Sequence, residues 1–131
     1  MNNDYLEDLY ANNLVVIPRN LFQRKKQELA ALEKLKFKQN FLSRYNVALR
    51  YLFLCFLDKG YDIPNSKVHF VFKLFCIEIL KTNKIEVNQI ISCRHRMKYK
   101  NVLPSLIVME NLDNVIDELN SVIIKNKVFN A

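Results

Sequence analysis

The residues best suited to chemistry lie together in the run RHRMKYK, which begins at Arg94. If this run is helical, Arg94 and Lys98 are four residues apart and project from one face of the helix. Arg96 and Lys100 share a second face, and Tyr99 lies on the strip next to Lys98. Guanidinium and ammonium groups bind phosphate, and a nearby aromatic ring stacks on a nucleobase. The same pattern is also typical of a solvated basic helix end that complements the helix macrodipole.

Two histidines extend the chemistry that this run suggests. His95 follows Arg94 directly, whereas His69 lies early in a different predicted helix. A pair of histidines on two helices can act as general acid and general base if packing brings them together. More often a single histidine is a polar residue at the edge of a core, and no local pattern pairs these two.

The sequence lacks the residues that other kinds of functional site would need. Residues 87–109 contain no Asp or Glu, which leaves a metal site or a pair of catalytic carboxylates without ligands or acid. The single glycine excludes a glycine-rich phosphate loop. The three cysteines are widely spaced and form no CxxC pair, which argues against a disulfide framework or a zinc site. We therefore predict no metal and no cofactor.

The composition favours an all-α fold. Half of the 131 residues are hydrophobic, yet there are only one glycine and three prolines. A β-sandwich or barrel of this length needs many tight turns, whereas a few long helices need few. We expect one domain over residues 1–131: a short N-terminal helix and connector over 1–19, then an up-and-down bundle of four to five helices over 20–126.

Apolar spacing and capping residues place the helices. The predicted helices span residues 4–10, 20–39, 41–59, 66–80, 86–99 and from about 105 or 111 to 126, with Asp4, Asn20 and Ser66 as N-caps and Gly60 as a C-terminal stop. In the second of these, Phe22, Leu29, Leu32 and Leu35 form the predicted core stripe. The third is apolar nearly all round, which is typical of the middle of a bundle or of a subunit interface. Residues 14–18 are predicted to form an extended, buried connector, and Phe70 is expected in the core.

Charge and hydropathy limit the partners. The formal net charge is +7, and residues 89–101 alone carry +4. A basic surface favours polyanions such as RNA, DNA or nucleotides, although small soluble domains are also often basic. The longest purely apolar run is too short to span a bilayer, and the N-terminus lacks a signal-peptide pattern. We therefore expect a cytoplasmic protein with no membrane partner.

Four short segments, in the same order and at similar intervals, resemble the HEPN superfamily of small helical bundles. They are the YN-A helix that begins at Tyr45, the KGY turn at Lys59, the helix-start His69 and the late helix that carries Arg94. The resemblance covers roughly residues 5–125. It implies a bundle of four or five helices that pairs as a homodimer.

The resemblance also implies roles for particular residues. In ribonuclease members, two copies of an Arg-x4-6-His motif meet across the dimer and form one composite site that cuts RNA. By position, Arg94 matches the motif arginine and His95 the polar residue after it, while Tyr99 matches a tyrosine of some subfamilies in place of the motif histidine. Free tyrosine has a pKa of about 10 and is a poor base at neutral pH, so His95 or His69 would have to move the proton.

Two functions follow as hypotheses. The first is an RNA- or nucleotide-binding dimer in a toxin or defence setting, either a metal-independent endoribonuclease or a non-catalytic relative. Its catalytic residues would be Arg94, His95 and Tyr99, and its phosphate-binding residues would be Arg96, Lys98, Lys100 and His69. The second is a non-catalytic helical interaction module, antitoxin-like or similar to a phage inhibitor, whose basic face is only solvated.

Overall fold

The structure, a computed structural model, describes residues 1–100 and 102–130, with side chains through residue 127. It contains six α-helices: α1 Asn3–Ala11, α2 Leu21–Leu35, α3 Phe41–Leu57, α4 Val68–Glu78, α5 Lys84–Lys100 and α6 Leu106–Asn130. A 3-10 helix, Asn65–Lys67, precedes α4. Within these residues the extended pairing is a single isolated bridge between Val16 and Asp62. The predicted all-α bundle is confirmed.

Asparagine starts most of the helices. Four side-chain oxygens accept a hydrogen bond from a backbone N–H in the first turn that follows, those of Asn2, Asn20, Asn40 and Asn83. The prediction for Asn20 is confirmed, whereas the predicted cap at Asp4 is wrong because Asn2 takes that role. The predicted cap at Ser66 is also wrong, since the chain forms a 3-10 turn there with no side-chain cap.

Gly60 ends the α3 segment as predicted. Its φ of +88° lies in the left-handed region that favours glycine. The following N–H, of Tyr61, donates to the carbonyl of Phe56, which satisfies one of the last carbonyls of the helix.

Helix α3 forms the centre of the core. Eleven of its side chains are buried, on several sides of the helix, and both α2 and α6 pack along it. A helix of this kind must be covered on most of its surface to keep its apolar side chains out of water. Here the remaining helices of the same chain supply that cover.

Specific contacts set the direction of each helix relative to α3. Lys25 and Glu28 of α2 pair with Asp58 and Arg50 of α3, so these two helices are antiparallel. Arg44 near the start of α3 forms an ion pair with Asp113 in the first half of α6. Further along both helices, Sγ of Cys55 contacts the carbonyl oxygen of Leu119. Helices α3 and α6 are therefore parallel.

The end of α5 lies beside the start of α3, because the guanidinium of Arg94 stacks over the ring of Tyr45. Helix α4 runs in the same general direction as α3, since His69 meets Tyr45 and Phe75 meets Phe56. The α2–α3 connection, the start of α3, the end of α5 and the start of α6 therefore lie at one end of the bundle.

Three further expectations about burial were wrong. Phe22 and Leu29 of the predicted α2 stripe are exposed, and so is Phe70 of α4. In the connector only Val15 is buried, while the two residues after it are exposed. On α2, Lys25 and Glu28 form ion pairs with the α3 segment and Leu32 and Leu35 pack against the core, whereas Phe22 and Leu29 remain in solvent.

In the described part of the chain, none of the helices combines the length and apolar character needed to cross a membrane.

Candidate functional site: a cationic cleft between α3 and α5

Arg94 lies at the edge of the core, against α3. The buried side chains of Val87, Ile90 and Cys93 hold α5 on the bundle, and position 94 comes next to this buried stripe round the helix. Its guanidinium carbon lies 5.9 Å from the centroid of the Tyr45 ring, within the range of a cation–π interaction. Arg94 is therefore half-buried and held in place by an aromatic ring.

Tyr45 in turn holds His69. The tyrosine hydroxyl is 2.9 Å from Nδ1 of His69, and the two rings stack with their centroids 5.8 Å apart. Tyr45 is almost completely buried, and a buried tyrosine hydroxyl needs a hydrogen-bond partner. Burial raises the tyrosine pKa, which Arg94 only partly offsets. The hydroxyl therefore stays protonated, and the tautomer of the imidazole sets the direction of the hydrogen bond. The hydroxyl donates to Nδ1 when the imidazole proton is on Nε2, and it accepts from Nδ1–H when Nε2 is free.

The imidazole of His69 is held in its neutral form. Burial lowers the pKa of His69, and the positive charges of Arg94 and Lys98 lower it further. In the tautomer whose Nδ1–H donates to the tyrosine oxygen, Nε2 keeps its lone pair and can accept a proton from a bound ligand.

An open cleft of about 280 Å³ lies between α3 and α5. Its lining consists of Leu42, Tyr45, Asn46, Arg94 and Lys98. The arginine and lysine offer several N–H donors from one face of α5, and the exposed Asn46 amide adds both a donor and an acceptor. This combination suits an anionic ligand that carries both oxygens and a flat or apolar part.

His95 and Tyr99 lie together on a different side of α5. Their ring centroids are 4.8 Å apart, and the ammonium of Lys98 lies 5.5 Å from the centroid of the Tyr99 ring. Both rings are exposed. Within one chain, the structure thus joins Arg94 to His69 through Tyr45, and places His95 and Tyr99 on the neighbouring, solvent-facing strip.

Arg96 and Lys100 occupy a third strip of α5, and both are exposed. The four cations of the α5 end therefore surround the helix rather than form a single face. Nothing in the structure tests the roles predicted for the individual residues, and these assignments remain predictions.

Sequence reasoning missed Tyr45 and Asn46 as site residues. Both lie in the apolar α3 segment, where the apolar spacing predicts Tyr45 only as a core residue. The available signal was chemical: a tyrosine at a buried position needs a partner for its hydroxyl. The helix-start His69 was a suitable polar partner, but no local pattern connects two residues that are 24 positions apart.

A second group of cations lies on the other border of α3, and we call it the α2–α3 clasp. Arg24 donates two hydrogen bonds to Asp62, and Arg24 and Arg50 both contact the buried carboxylate of Glu28. The two guanidinium carbons lie 5.5 and 4.8 Å from the ring centroid of the buried Phe53. The hydrogen bond with Asp62 raises the pKa of Arg24, against the opposing effect of burial. Each arginine of the clasp has a carboxylate partner.

The described residues contain no evident cluster of metal ligands. Among them, no three His, Cys, Asp or Glu side chains are grouped as metal ligands. Cys55, Cys76 and Cys93 are free and buried. Burial raises the pKa of the Cys55 and Cys76 thiols to about 12, so both stay protonated and behave as small apolar side chains.

Comparison of the chain with protein-family models, with curated proteins and with solved structures finds no match.

Proposed function

We propose that the chain binds single-stranded RNA through the end of α5, as a HEPN-like protein. The main support is the state of the cations. In residues 1–100 and 102–127, none of the six ion pairs involves Arg94, Arg96, Lys98 or Lys100. Four positive charges within two helical turns, without carboxylate partners, attract phosphate and release counterions when it binds.

The exposed rings beside these cations account for the preference for a single strand. The rings of His95 and Tyr99 lie together on the solvent side of α5, tilted at 50° to each other. Unpaired bases stack on such rings, whereas a duplex keeps its bases inside. RNA is chosen over DNA because of the resemblance to the HEPN superfamily.

Binding of a fluorescent single-stranded RNA, followed by anisotropy over a range of salt concentrations, tests the proposal. In the variant Arg94→Ala/Lys98→Ala, affinity should fall, and the slope of log K against log salt should drop by about 0.7 for each phosphate that the variant no longer neutralises. The matched control is Lys26→Ala/Lys125→Ala, which removes two exposed lysines from other helices. Equal weakening by both double variants would mean that only total charge matters and that α5 holds no site.

Cleavage of the RNA without a metal is a second candidate function, favoured by the neutral His69 held beside Arg94. In this reaction the imidazole of His69 carries its proton on Nδ1, which donates to the hydroxyl oxygen of Tyr45, and the free Nε2 takes the proton of a ribose 2′ hydroxyl. The 2′ oxygen then attacks the adjacent phosphorus. Arg94 neutralises the charge that develops on the phosphate oxygens. The bond to the 5′ oxygen breaks, and that oxygen takes a proton from water, which leaves a 2′,3′-cyclic phosphate.

An RNA-cleavage assay in EDTA, with the products analysed for 2′,3′-cyclic phosphate ends, distinguishes which of the candidate residues are catalytic. Loss of activity in His69→Ala with activity kept in His95→Ala would support the cleft within one chain. The reverse result would favour the predicted trio Arg94, His95 and Tyr99. Binding without cleavage would identify a non-catalytic RNA-binding protein. The absence of both RNA binding and RNA cleavage would favour the non-catalytic interaction module.

The homodimer implied by the resemblance belongs to the same proposal. Light scattering on the purified protein should give twice the 15.6 kDa chain mass. A monomer that still cleaves RNA would show that the composite site across a dimer is not needed, and that Arg94 and His69 of one chain suffice.

A further inference from the structure

One end of the bundle is both strongly basic and unusually apolar. It comprises residues 34–38 around the α2–α3 connection and residues 96–100 and 102–107 on either side of the α5–α6 connection, and we call it the basic end. The three most exposed large hydrophobic side chains of the described residues all lie here: Leu103 at 87%, Leu106 at 84% and Phe37 at 81%. Side chains so exposed contribute almost nothing to the core.

The two connections lie at the same end because of the helix directions. Helix α2 is antiparallel to α3, so its C-terminal connection lies beside the start of α3. The end of α5 also lies there, since Arg94 and Lys98 line a cleft with Leu42 and Tyr45. The start of α6 follows α5 directly, and the ion pair between Arg44 and residue 113 ties it to the first turn of α3. Two apolar tips from separate helical hairpins thus project from one end.

Positive charges surround both tips. Six cations belong to the basic end: Lys34, Lys36, Lys38, Arg96, Lys98 and Lys100. Of the neighbouring acids, Glu33 pairs with Lys36, and Glu110 follows Leu106 by one helical turn, about 6 Å further from the tip. The net charge at this end is therefore positive.

We propose that the basic end docks on an anionic phospholipid surface, with Phe37, Leu103 and Leu106 inserted at the level of the headgroups. Exposed apolar side chains next to lysines are the combination that binds such surfaces, because the burial of apolar area adds to the attraction of each cation for anionic lipid. This proposal departs from the expectation of no membrane partner, which rested on the absence of a spanning segment. A protein that spans a bilayer and one that lies on it need different features.

Other occupants fit the basic end less well. A second copy of the chain would bring two positive ends together, which opposes contact. RNA would use the cations but not Leu103 and Leu106, which offer neither donors nor aromatic rings. A partner helix needs a continuous groove, whereas here the apolar side chains lie on two separate connections. A flat anionic surface can meet both tips at once.

Co-sedimentation with vesicles tests the proposal. The protein should bind vesicles of equimolar phosphatidylcholine and phosphatidylglycerol, and not vesicles of phosphatidylcholine alone. The variant Leu103→Ser/Leu106→Ser should lower the partition coefficient about tenfold, since each leucine loses its apolar burial. The matched control is Ile17→Ser/Phe22→Ser, which changes two exposed apolar residues far from the basic end, at 65% and 76% exposure, and should leave the partition unchanged.

Each alternative result overturns the proposal. Binding that is abolished by salt but unaffected by Leu103→Ser/Leu106→Ser would mean charge attraction without insertion. Equal loss in both double variants would mean that general hydrophobicity decides the partition. No vesicle binding, together with a change of oligomeric state in Leu103→Ser/Leu106→Ser, would make this end a contact between copies. Because the leucines lie outside the proposed RNA site, the anisotropy assay on the same variant separates failure of this proposal from failure of RNA binding.

Discussion

Two groups of cations border α3, and they differ in what their charges meet. In the α2–α3 clasp, Arg24 and Arg50 share the buried Glu28, and Arg24 also pairs with Asp62. In the cleft, Arg94 stacks on Tyr45 and no described carboxylate pairs with it. Both groups use an aromatic ring of α3 as a platform. A cation with a carboxylate partner holds two helices together, whereas a cation without one is available to an external anion.

The clasp should therefore control stability. Glu28→Gln keeps the size of the side chain but leaves Arg50 without a carboxylate partner at the helix interface, while Arg24 keeps only Asp62. We expect the free energy of unfolding to fall by about 3 kcal/mol, because breaking one side of a buried ion pair is costly. Urea denaturation followed by circular dichroism measures this change.

The control for this prediction is Glu33→Gln, which breaks the exposed pair with Lys36. It should cost less than about 0.5 kcal/mol, as expected for a surface ion pair. Similar effects of Glu28→Gln and Glu33→Gln would mean that the clasp is not a structural element.

Arginine-to-alanine substitution compares the two groups directly. Arg24→Ala removes the hydrogen bonds to Asp62 and should lower the free energy of unfolding by about 2 kcal/mol. Arg94→Ala removes one cation–π contact and should cost less than about 1 kcal/mol. If Arg94→Ala proved the more destabilising, Arg94 would be a structural residue and the cleft would lose its claim as a binding site. Urea midpoints of the two variants, measured side by side, decide this.

The contrast between the groups also shows what sequence reasoning can reach. The shared face of Arg94 and Lys98 depends only on a spacing of four in a helix, so it was predictable. The all-α fold was predictable as well, from the scarcity of turn residues and the long apolar runs. The end of α3 at Gly60 follows from the conformational freedom of glycine at one position.

The contacts between helices were not predictable in the same way. The exposed Leu29 and the buried Glu28 are neighbours in α2, and the apolar pattern predicts the opposite burial for Leu29. Which side of α2 faces α3 depends on Arg50 and Asp62, which lie far along the chain from α2. The hydrogen bond between Tyr45 and His69 likewise depends on how residues 58–67 return along α3, so that α4 begins beside Tyr45.

Removal of the tyrosine hydroxyl should affect the cleft more subtly. Tyr45→Phe deletes the hydrogen bond at Nδ1 of His69. If Nδ1–H donates to the tyrosine oxygen, as the cleavage step requires, the pKa of His69 should fall, because the protonated imidazole is the stronger donor. The free energy of unfolding should fall by about 1 kcal/mol. Titration of the imidazole by NMR in both proteins measures the first effect. A rise of the His69 pKa would mean that the hydroxyl donates to Nδ1, so that Nε2 carries the proton and cannot act as the base.

The pH dependence of stability should show the smallest effect, and it separates the cleft from the clasp. The pKa of His69 is lowered in the folded protein, whereas in the unfolded chain it returns to about 6.5. Below that pH the unfolded chain therefore binds more protons at this site, so the free energy of unfolding should fall as the pH drops through about 6.5.

Burial raises the pKa of Glu118, which acts in the opposite sense. Comparison of the natural protein with His69→Gln cancels that contribution, because Glu118 is present in both. The natural protein should lose more stability on acidification than His69→Gln, while Glu28→Gln should keep the His69-dependent part of the loss. Parallel curves for the natural protein and His69→Gln would mean that neither burial nor the charges of Arg94 and Lys98 lower the pKa of His69, and the case for a neutral base beside Arg94 would fail.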